Sequence, residues 1–382
     1  MAKNLVCLIS NQLHPNYLFL KEFAEAKDNI YFITTNESDG KKEILWRAFK
    51  ENKSECGKLQ TVPLFGLEEK WTSMQARFSQ FFRKGEEYLI NLTGGTKYMA
   101  QAVYEYFRGC PNVKFIYIPY PKNEYLDYAS DTATPLKSRL SCKEYFDLCD
   151  LTGSWEQGTF FKENPTYSYS LFNKFIQFSQ RDMDLISLVR KVSNNESPWS
   201  VLADAGGFSD FLQKIEFPIS KEQLAAMGRR AREKYLKYLA GTWFEEYVRL
   251  RLSEVLASPC YGVDNVKFSD AVKPNELDCV AVVNNHCLVG ECKTYLEKDW
   301  LESALNKANR INKNIISTLS AHSYLFYINA QDVKAVHESL EQAQKAHLKL
   351  IKCFGKEYFA DNAKFAAMIA KIKQDLGYSN VD

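Results

Sequence analysis

The sequence predicts an α/β protein in three parts: an N-terminal parallel, doubly wound sheet over 1–147, a helical or irregular connector over 148–228, and a C-terminal sheet flanked by helices over 229–382. Three observations predict it. Short apolar runs alternate with helix-periodic runs from Asn4 to Pro119, the pattern of a parallel sheet wound with helices. Two runs rich in β-branched residues, Glu276–Val283 and His286–Cys292, flank Asn284-Asn285, a strong hairpin-turn signal. Between these regions the aromatic-rich stretch 160–178 has no clean period, and Ser197-Pro198 and Gly206-Gly207 break the helical pattern beyond it.

Composition bounds the function. A chain of 382 residues with 46% hydrophobic and 14% aromatic content supports two or three cores. The formal net charge of +2 carries no global field, so any nucleic-acid contact must come from local basic patches. Ten cysteines without a CxxC pair and five histidines without zinc spacing argue against a zinc centre. Cys7, Cys279, Cys287 and Cys292 fall inside strand-like runs, where buried thiols are expected. No secretory or transit segment and no apolar run of membrane-spanning length is present, so a reduced, cytoplasmic protein without a membrane role is expected.

Taken in order, Asn4–Ser10 reads as a strand, Tyr17–Ala26 as a helix, Asn29–Thr34 as a strand and Lys41–Lys50 as a helix. The strand 58–63 and helix 69–83 come next, then strand 87–92, helix Lys97–Phe107 and strand 113–119. Ligands of such sheets bind beyond the carboxyl ends of the strands. Two of those ends are chemically informative. The first strand runs into Ser10-Asn11-Gln12-Leu13-His14-Pro15-Asn16, and a later one into Asn91-Leu92-Thr93-Gly94-Gly95-Thr96-Lys97 just before a helix. Paired glycines allow close backbone approach, a helix N-terminus offers free N–H groups to an anion, and Thr96 can cap the helix. The spacing is neither a Walker loop nor a dinucleotide fingerprint. The reading is an anion site.

This strand–Thr-Gly-Gly-Thr-Lys–helix segment, with the Ser-Asn-Gln loop, resembles the CARF domain, the CRISPR-associated Rossmann fold. The resemblance implies a sensor of cyclic oligoadenylates. It implies ligand contacts at Ser10, Asn11, Gln12, Thr93, Gly94, Gly95, Thr96 and Lys97, with Thr34 and Thr35 as further lining residues. It also implies a homodimer that binds a two-fold symmetric ligand across its axis.

Residues 120–160 are harder to read; Pro119-Tyr120-Pro121-Lys122 ends the last clear strand and suits a pocket rim. Asp182–Val192 is helical, and the connector could hold a small winged-helix-like unit. From Ser220 a helical pattern carries Arg229, Arg230, Arg232, Lys234 and Lys237 towards Glu245. A solvated face and a phosphate-binding face both fit it. Trp243, Phe244 and Tyr247 read as core. Further helices are expected at 300–314, with Lys307, Arg310 and Lys313, at 332–345 and at 362–376, and a strand at 323–329.

Asp278, Glu291 and Lys293 are the unusual residues of the hairpin. Glu291 and Lys293 are two apart and leave one face of their strand, and pairing across Asn284-Asn285 brings Asp278 to them. An isolated Glu-x-Lys is more often a charged edge strand that blocks aggregation. Two carboxylates converging with a lysine suit a divalent-cation hydrolase: the acids ligate Mg²⁺ or Mn²⁺, and the lysine serves the water or offsets transition-state charge. The set resembles the PD-(D/E)xK nuclease superfamily, of restriction-endonuclease-like fold, with Pro274 near the position the family often gives to proline. That resemblance implies an additional acid on the preceding helix. Gly241-Thr242-Trp243-Phe244-Glu245 matches the pattern, making Glu245 the candidate, with Glu246 its open alternative.

A CARF-like half followed by such a nuclease half resembles the effector nucleases of type III CRISPR antiviral defence. The implied function is a metal-dependent, sequence-nonspecific nuclease with cyclic tetra-adenylate as allosteric activator. Single-stranded DNA, single-stranded RNA and supercoiled duplex DNA are the open substrates. Two other readings compete: a sensor or regulator with an inactive nuclease fold, and a ring nuclease that degrades the messenger in the first domain.

Overall fold

The computed structural model describes residues 2–52, 57–130, 132–267, 275–296, 321–330 and 351–378. Its N-terminal strands and helices are β1 (Asn4–Leu8), α1 (His14–Phe23), β2 (Asn29–Thr34), α2 (Asp39–Asn52), β3 (Leu59–Pro63), α3 (Trp71–Phe81), β4 (Tyr88–Asn91), α4 (Lys97–Phe107) and β5 (Val113–Tyr117). The hairpin β6 (Glu124–Asp127) and β7 (Thr132–Pro135) and the helix α5 (Cys142–Leu148) complete it. The sheet order is β3-β2-β1-β4-β5-β6-β7, parallel from β3 to β5 and antiparallel beyond. The winding reverses between β1 and β4, and in this topology the crevice at the reversal takes the ligand. Both informative loops open there.

The second half begins earlier than the sequence suggested. The strand β8 (Ser154–Glu156), inside the expected connector, pairs with β9 (Tyr261–Val266) and is the edge strand of the second sheet. Its sequence is too short to show a strand period. Beyond it lie the helices α6 (Tyr167–Phe175), α7 (Gln180–Ser193), α8 (Trp199–Ala203), α9 (Phe208–Lys214) and α10 (Lys221–Ala226), then α11 (Arg229–Lys237). A π-helical segment over Tyr238–Thr242 joins α11 to α12 (Trp243–Leu256). The sheet continues with β10 (Asn275–Val283), β11 (His286–Leu296), β12 (Ala321–Ala330) and β13 (Ile351–Phe354), and α13 (Lys356–Ala360) and α14 (Asn362–Asp375) close the described chain. Pro274, the expected helices over 300–314 and 332–345, and Lys307, Arg310 and Lys313 lie outside the described residues.

Among the described residues, three cores hold these layers together. One packs α3 and α4 on the first sheet through Met74, Phe78, Met99 and Val103. One packs the second sheet against α6–α12, α13 and α14, with Trp243, Phe244 and Tyr247 buried in it. The connector helices therefore share the core of the second sheet. The third core is common to both halves: Leu5, Phe32 and Tyr145 of the first meet Val280, Val282, Cys287 and Val289 of the second.

Within the first half, Glu144 on α5 accepts from Lys21 Nζ at 2.7 Å and from the Tyr17 hydroxyl at 2.5 Å. Its side chain is only 5% exposed. Burial raises its pKa, but Lys21, the Ser141 backbone and Tyr17 outweigh burial and hold it below the ordinary carboxylate value. A depressed carboxyl pKa contributes stability above the unfolded value of 4.5, and that contribution is lost as pH falls through the folded value. Glu144→Gln is expected to cost about 2 kcal/mol at neutral pH. Wild type and variant should converge only once pH has fallen through the depressed folded value, below 4.5, which thermal melts across pH would check.

Candidate functional site

Local sequence builds the hairpin. Asn284 and Asn285 take φ of 50° and 64°, the left-handed pair that a two-residue turn requires. The register pairs Val283 with His286 and Cys279 with Gly290. Continuing that register one step puts Asp278 across from Glu291. Between Leu277 and Val280 the pairing with β9 shifts: three residues of β10 span the two from Val263 to Tyr261. Such a bulge re-aims the residue it contains, and Asp278 lies in it. Its Oδ2 accepts from the Cys292 backbone N–H at 2.8 Å.

Lys293 joins the acids. Its Nζ is 2.5 Å from Glu291 Oε1 and 3.8 Å from Asp278 Oδ2. Burial opposes its charge, yet Asp278, Glu291 and Glu245 together lift its pKa above that of an ordinary lysine, so it remains an ammonium. Glu245 belongs to the same electrostatic group: burial, then the charge of Asp278, pushes its carboxyl up to about 8, while Arg249 and Lys293 pull the other way. Gly241 interrupts the helix between α11 and α12 with a non-helical backbone, which lets α12 start anew.

The neighbouring Glu246 is settled differently. It is 2% exposed and accepts from the Phe160 backbone N–H at 2.5 Å and the Tyr238 hydroxyl at 3.1 Å. Its carboxylate supports the aromatic packing of Phe160 on Tyr238.

The donor set Asp278, Glu291 and Glu245 suits a hard divalent ion in kind, being carboxylate oxygen throughout; burial first, and then the charge of Asp278, raises the Glu245 pKa. Among the described residues no three such side chains already stand as a metal cage. Lys293 sits in the gap between two of them.

Sequence reading missed two arginines that frame the site. Arg249, one turn beyond Glu245, is 8% exposed and donates to the Asp278 backbone carbonyl at 3.0 Å. An arginine in an otherwise apolar helix stripe was the available signal. Arg190 on α7 donates to Thr294 Oγ1 at 3.0 Å, beside Lys293.

At the first sheet's reversal the two loops are clamped together. Asn16 Nδ2 donates to the Leu8 carbonyl at 2.8 Å, and Asn91 Nδ2 donates to Asn16 Oδ1 at 2.8 Å. Both asparagines are fully buried. Thr93 turns inward: its hydroxyl donates to Asn91 Oδ1 and accepts from the Ile118 N–H. Gly94 lies against the Leu8 carbonyl so closely that a Cβ would overlap it, and Gly95 has a φ of 71°. These glycines let the loop cross the end of β1. Thr96 caps α4 by accepting from the Met99 N–H. Thr34 donates to Asp39, and Thr35 exchanges hydrogen bonds with Ser38, so both serve the turn into α2. Asn11, Thr96 and Lys97 are exposed at the crevice and Ser10 partly so. Gln12 Nε2 is buried with no hydrogen-bond partner among the described residues. Tyr98, 40% exposed, stands against Trp71 with ring centroids 5.5 Å apart.

The two sites are joined by the hairpin tip. Asn285 is fully buried. Its Oδ1 accepts from the Leu140 N–H at 2.8 Å, its Nδ2 donates to Asn123 Oδ1 at 2.7 Å, and its carbonyl accepts from the Tyr120 hydroxyl at 2.9 Å. Tyr120 in turn stacks on His14, 5.3 Å between centroids, in the segment just after β1.

A Rossmann-ordered sheet with its crevice loops at the strand reversal, joined to a sheet whose hairpin gathers Asp278, Glu291 and Lys293, defines a CARF-domain nuclease. Residues 4–145 match the family described as the Card1 CARF domain, and residues 232–356 that described as the Card1-like endonuclease domain. The chain belongs, domain by domain, to these two families. Among solved structures, Can2 from Sulfobacillus thermosulfidooxidans in complex with cyclic tetra-adenylate is similar with a TM-score of 0.70 at 16% identity, covering 98% of this chain and 100% of that one. Protein VC1899 from Vibrio cholerae has a TM-score of 0.71 at 14% identity, covering 98% and 99%. At these identities the likeness is one of fold. A comparison with curated proteins found no match. No described helix is long and apolar enough to cross a membrane.

Proposed function

We propose that the protein is a nuclease switched on by a cyclic oligoadenylate, cyclic tetra-adenylate by likeness to the Can2 complex, and that it acts in type III CRISPR defence. The observation that carries this reading is the single hairpin whose strands bear Asp278, Glu291 and Lys293 while its tip, Asn285, is buried against the sensor domain. A bound divalent ion, Mn²⁺ or Mg²⁺, supplies Lewis-acid polarisation of a phosphoryl oxygen and a water of lowered pKa. Asp278 and Glu291 would hold it, with Glu245 in support. The hydrogen bond from Cys292 N–H keeps the Asp278 carboxylate oriented. Lys293, kept as an ammonium, offsets charge that develops on the phosphate rather than taking a proton.

In the sensor domain Lys97, the α4 N-terminus and the loop 10–12 take the phosphates, and the Trp71–Tyr98 pair offers a purine an aromatic face. Two copies pair so that a symmetric messenger meets the same loops twice. The messenger acts by binding the active arrangement better than the resting one, and the Asn285 side-chain bonds to Leu140 and Asn123 carry that difference to the hairpin. Residues 148–228 belong functionally with the nuclease half.

The test is a cleavage assay on single-stranded DNA, single-stranded RNA and supercoiled plasmid, with Mn²⁺ or Mg²⁺, with and without cyclic tetra-adenylate. Messenger-dependent cutting of any of these supports the reading. Bound messenger with no cutting turns it into the sensor or regulator. Lys97→Glu should abolish activation while leaving divalent-ion binding intact, as calorimetry would report; full activation in that variant removes Lys97 from the ligand site.

A further inference from the structure

The basic helix α11 does not simply face solvent. With α7 and α8 it borders an open cavity of about 360 Å³ whose lining includes Val192, Leu236, Trp199, Arg229, Arg232 and Glu233. The Arg232 guanidinium lies over the Trp199 ring at 4.6 Å. Arg229 is exposed and held in place by Glu233, Nε to Oε1 at 2.7 Å, and by Asn195 Oδ1 at 2.6 Å. The segments 190–199 and 229–237 carry seven basic residues against two acids, Glu196 and Glu233, in a chain whose formal net charge is +2. Positive charge is therefore concentrated here.

The helices that line the cavity also reach the hairpin. Val192 lies two residues beyond Arg190, which donates to Thr294 beside Lys293. On the other side α11 leads through the π-helical segment to Glu245. A surface kept only for solubility has no need of an aromatic floor. An arginine stacked on tryptophan beside a second arginine matches one nucleotide: the base lies against the stacked pair and the phosphate takes the Arg229 guanidinium in exchange for part of its pairing with Glu233.

We propose that this cavity is a substrate-strand subsite of the nuclease, taking an unstacked base against the Trp199–Arg232 pair and its backbone phosphate at Arg229. A duplex keeps its bases stacked and cannot fill it, so the occupant is single-stranded nucleic acid. This rests on the nuclease reading above and adds to it how the strand is held.

The experiment measures binding, so that it does not depend on cutting. The full chain carrying Glu291→Gln is titrated with a labelled single-stranded oligonucleotide and with the same sequence as duplex, over a salt series. Adding Arg229→Gln, an exposed substitution, should weaken single-strand binding about tenfold and reduce the salt slope by about one. Trp199→Ala should weaken it by a similar factor with no change of slope, and Trp199→Phe should restore it. Duplex affinity should change by less than twofold on any of these substitutions. Unchanged single-strand affinity in Arg229→Gln, or equal losses for duplex, overturns the subsite. Absence of cutting by the wild-type chain would instead count against the nuclease reading, with the binding result still legible.

Discussion

Glu291→Ala and Asp278→Asn are each expected to reduce messenger-activated cutting by at least about 10³-fold, corresponding to roughly 4 kcal/mol of lost transition-state stabilisation. Neither side chain contributes to the sensor crevice, so messenger affinity should be unchanged. The two variants differ in a second observable. Asp278 is, after burial, the main cause of Glu245's raised pKa. Its neutralisation removes a repulsion while Asn keeps an oxygen for the Cys292 N–H. Above about pH 8, where Glu245 is ionised, the stability of the metal-free Asp278→Asn protein relative to wild type should therefore be higher than at neutral pH, where Glu245 is protonated and the loss of the Lys293 attraction dominates. Retained cutting in both variants would move the nuclease centre elsewhere, and a stability difference that does not change with pH around 8 would separate Asp278 from Glu245.

Asn285→Gly should separate messenger binding from activation. Glycine keeps the positive φ of the turn but removes the two side-chain hydrogen bonds that cross between the domains. Each contributes about 1 kcal/mol, and leaving the Leu140 N–H buried and unpaired adds to the loss. If the hairpin tip transmits the signal, the ratio of cutting rates with and without cyclic tetra-adenylate should fall about tenfold or more, since roughly 1–3 kcal/mol is the usual size of such a coupling. Messenger affinity, read by calorimetry, should fall by no more than the same coupling factor. An unchanged activation ratio in a variant that binds messenger normally would place the coupling outside this contact.

The parts of the molecule that could be read before folding are those decided by neighbours in the chain. The helix from Lys97 to Phe107 has the expected ends because Thr96 caps it and its apolar residues repeat at helical spacing. The hairpin was legible for the same reason. Asn284-Asn285 sets the turn, period two assigns faces, and those two facts bring Asp278 opposite Glu291 across only a few residues.

Other features depend on contacts between residues far apart in sequence, and no local pattern reports them. The strand Ser154–Glu156 exists because β9 is there to pair with it. Thr93 and Thr34 were expected at the ligand crevice, and packing directs their hydroxyls to Asn91 and Asp39. Glu245 and Glu246 are adjacent and alike; a helical rotation of about 100° per residue sends one to the acids and the other to Phe160 and Tyr238. By itself the sequence determined two α/β units and an Asp-Glu-x-Lys hairpin, since turn chemistry and side-chain period act over a few residues. Only the tertiary structure decided that Arg249 holds the Asp278 backbone, that Asn285 is buried in the sensor domain and that Arg229, Arg232 and Trp199 share a cavity, because burial and long-range hydrogen bonds arise when distant segments exclude water together.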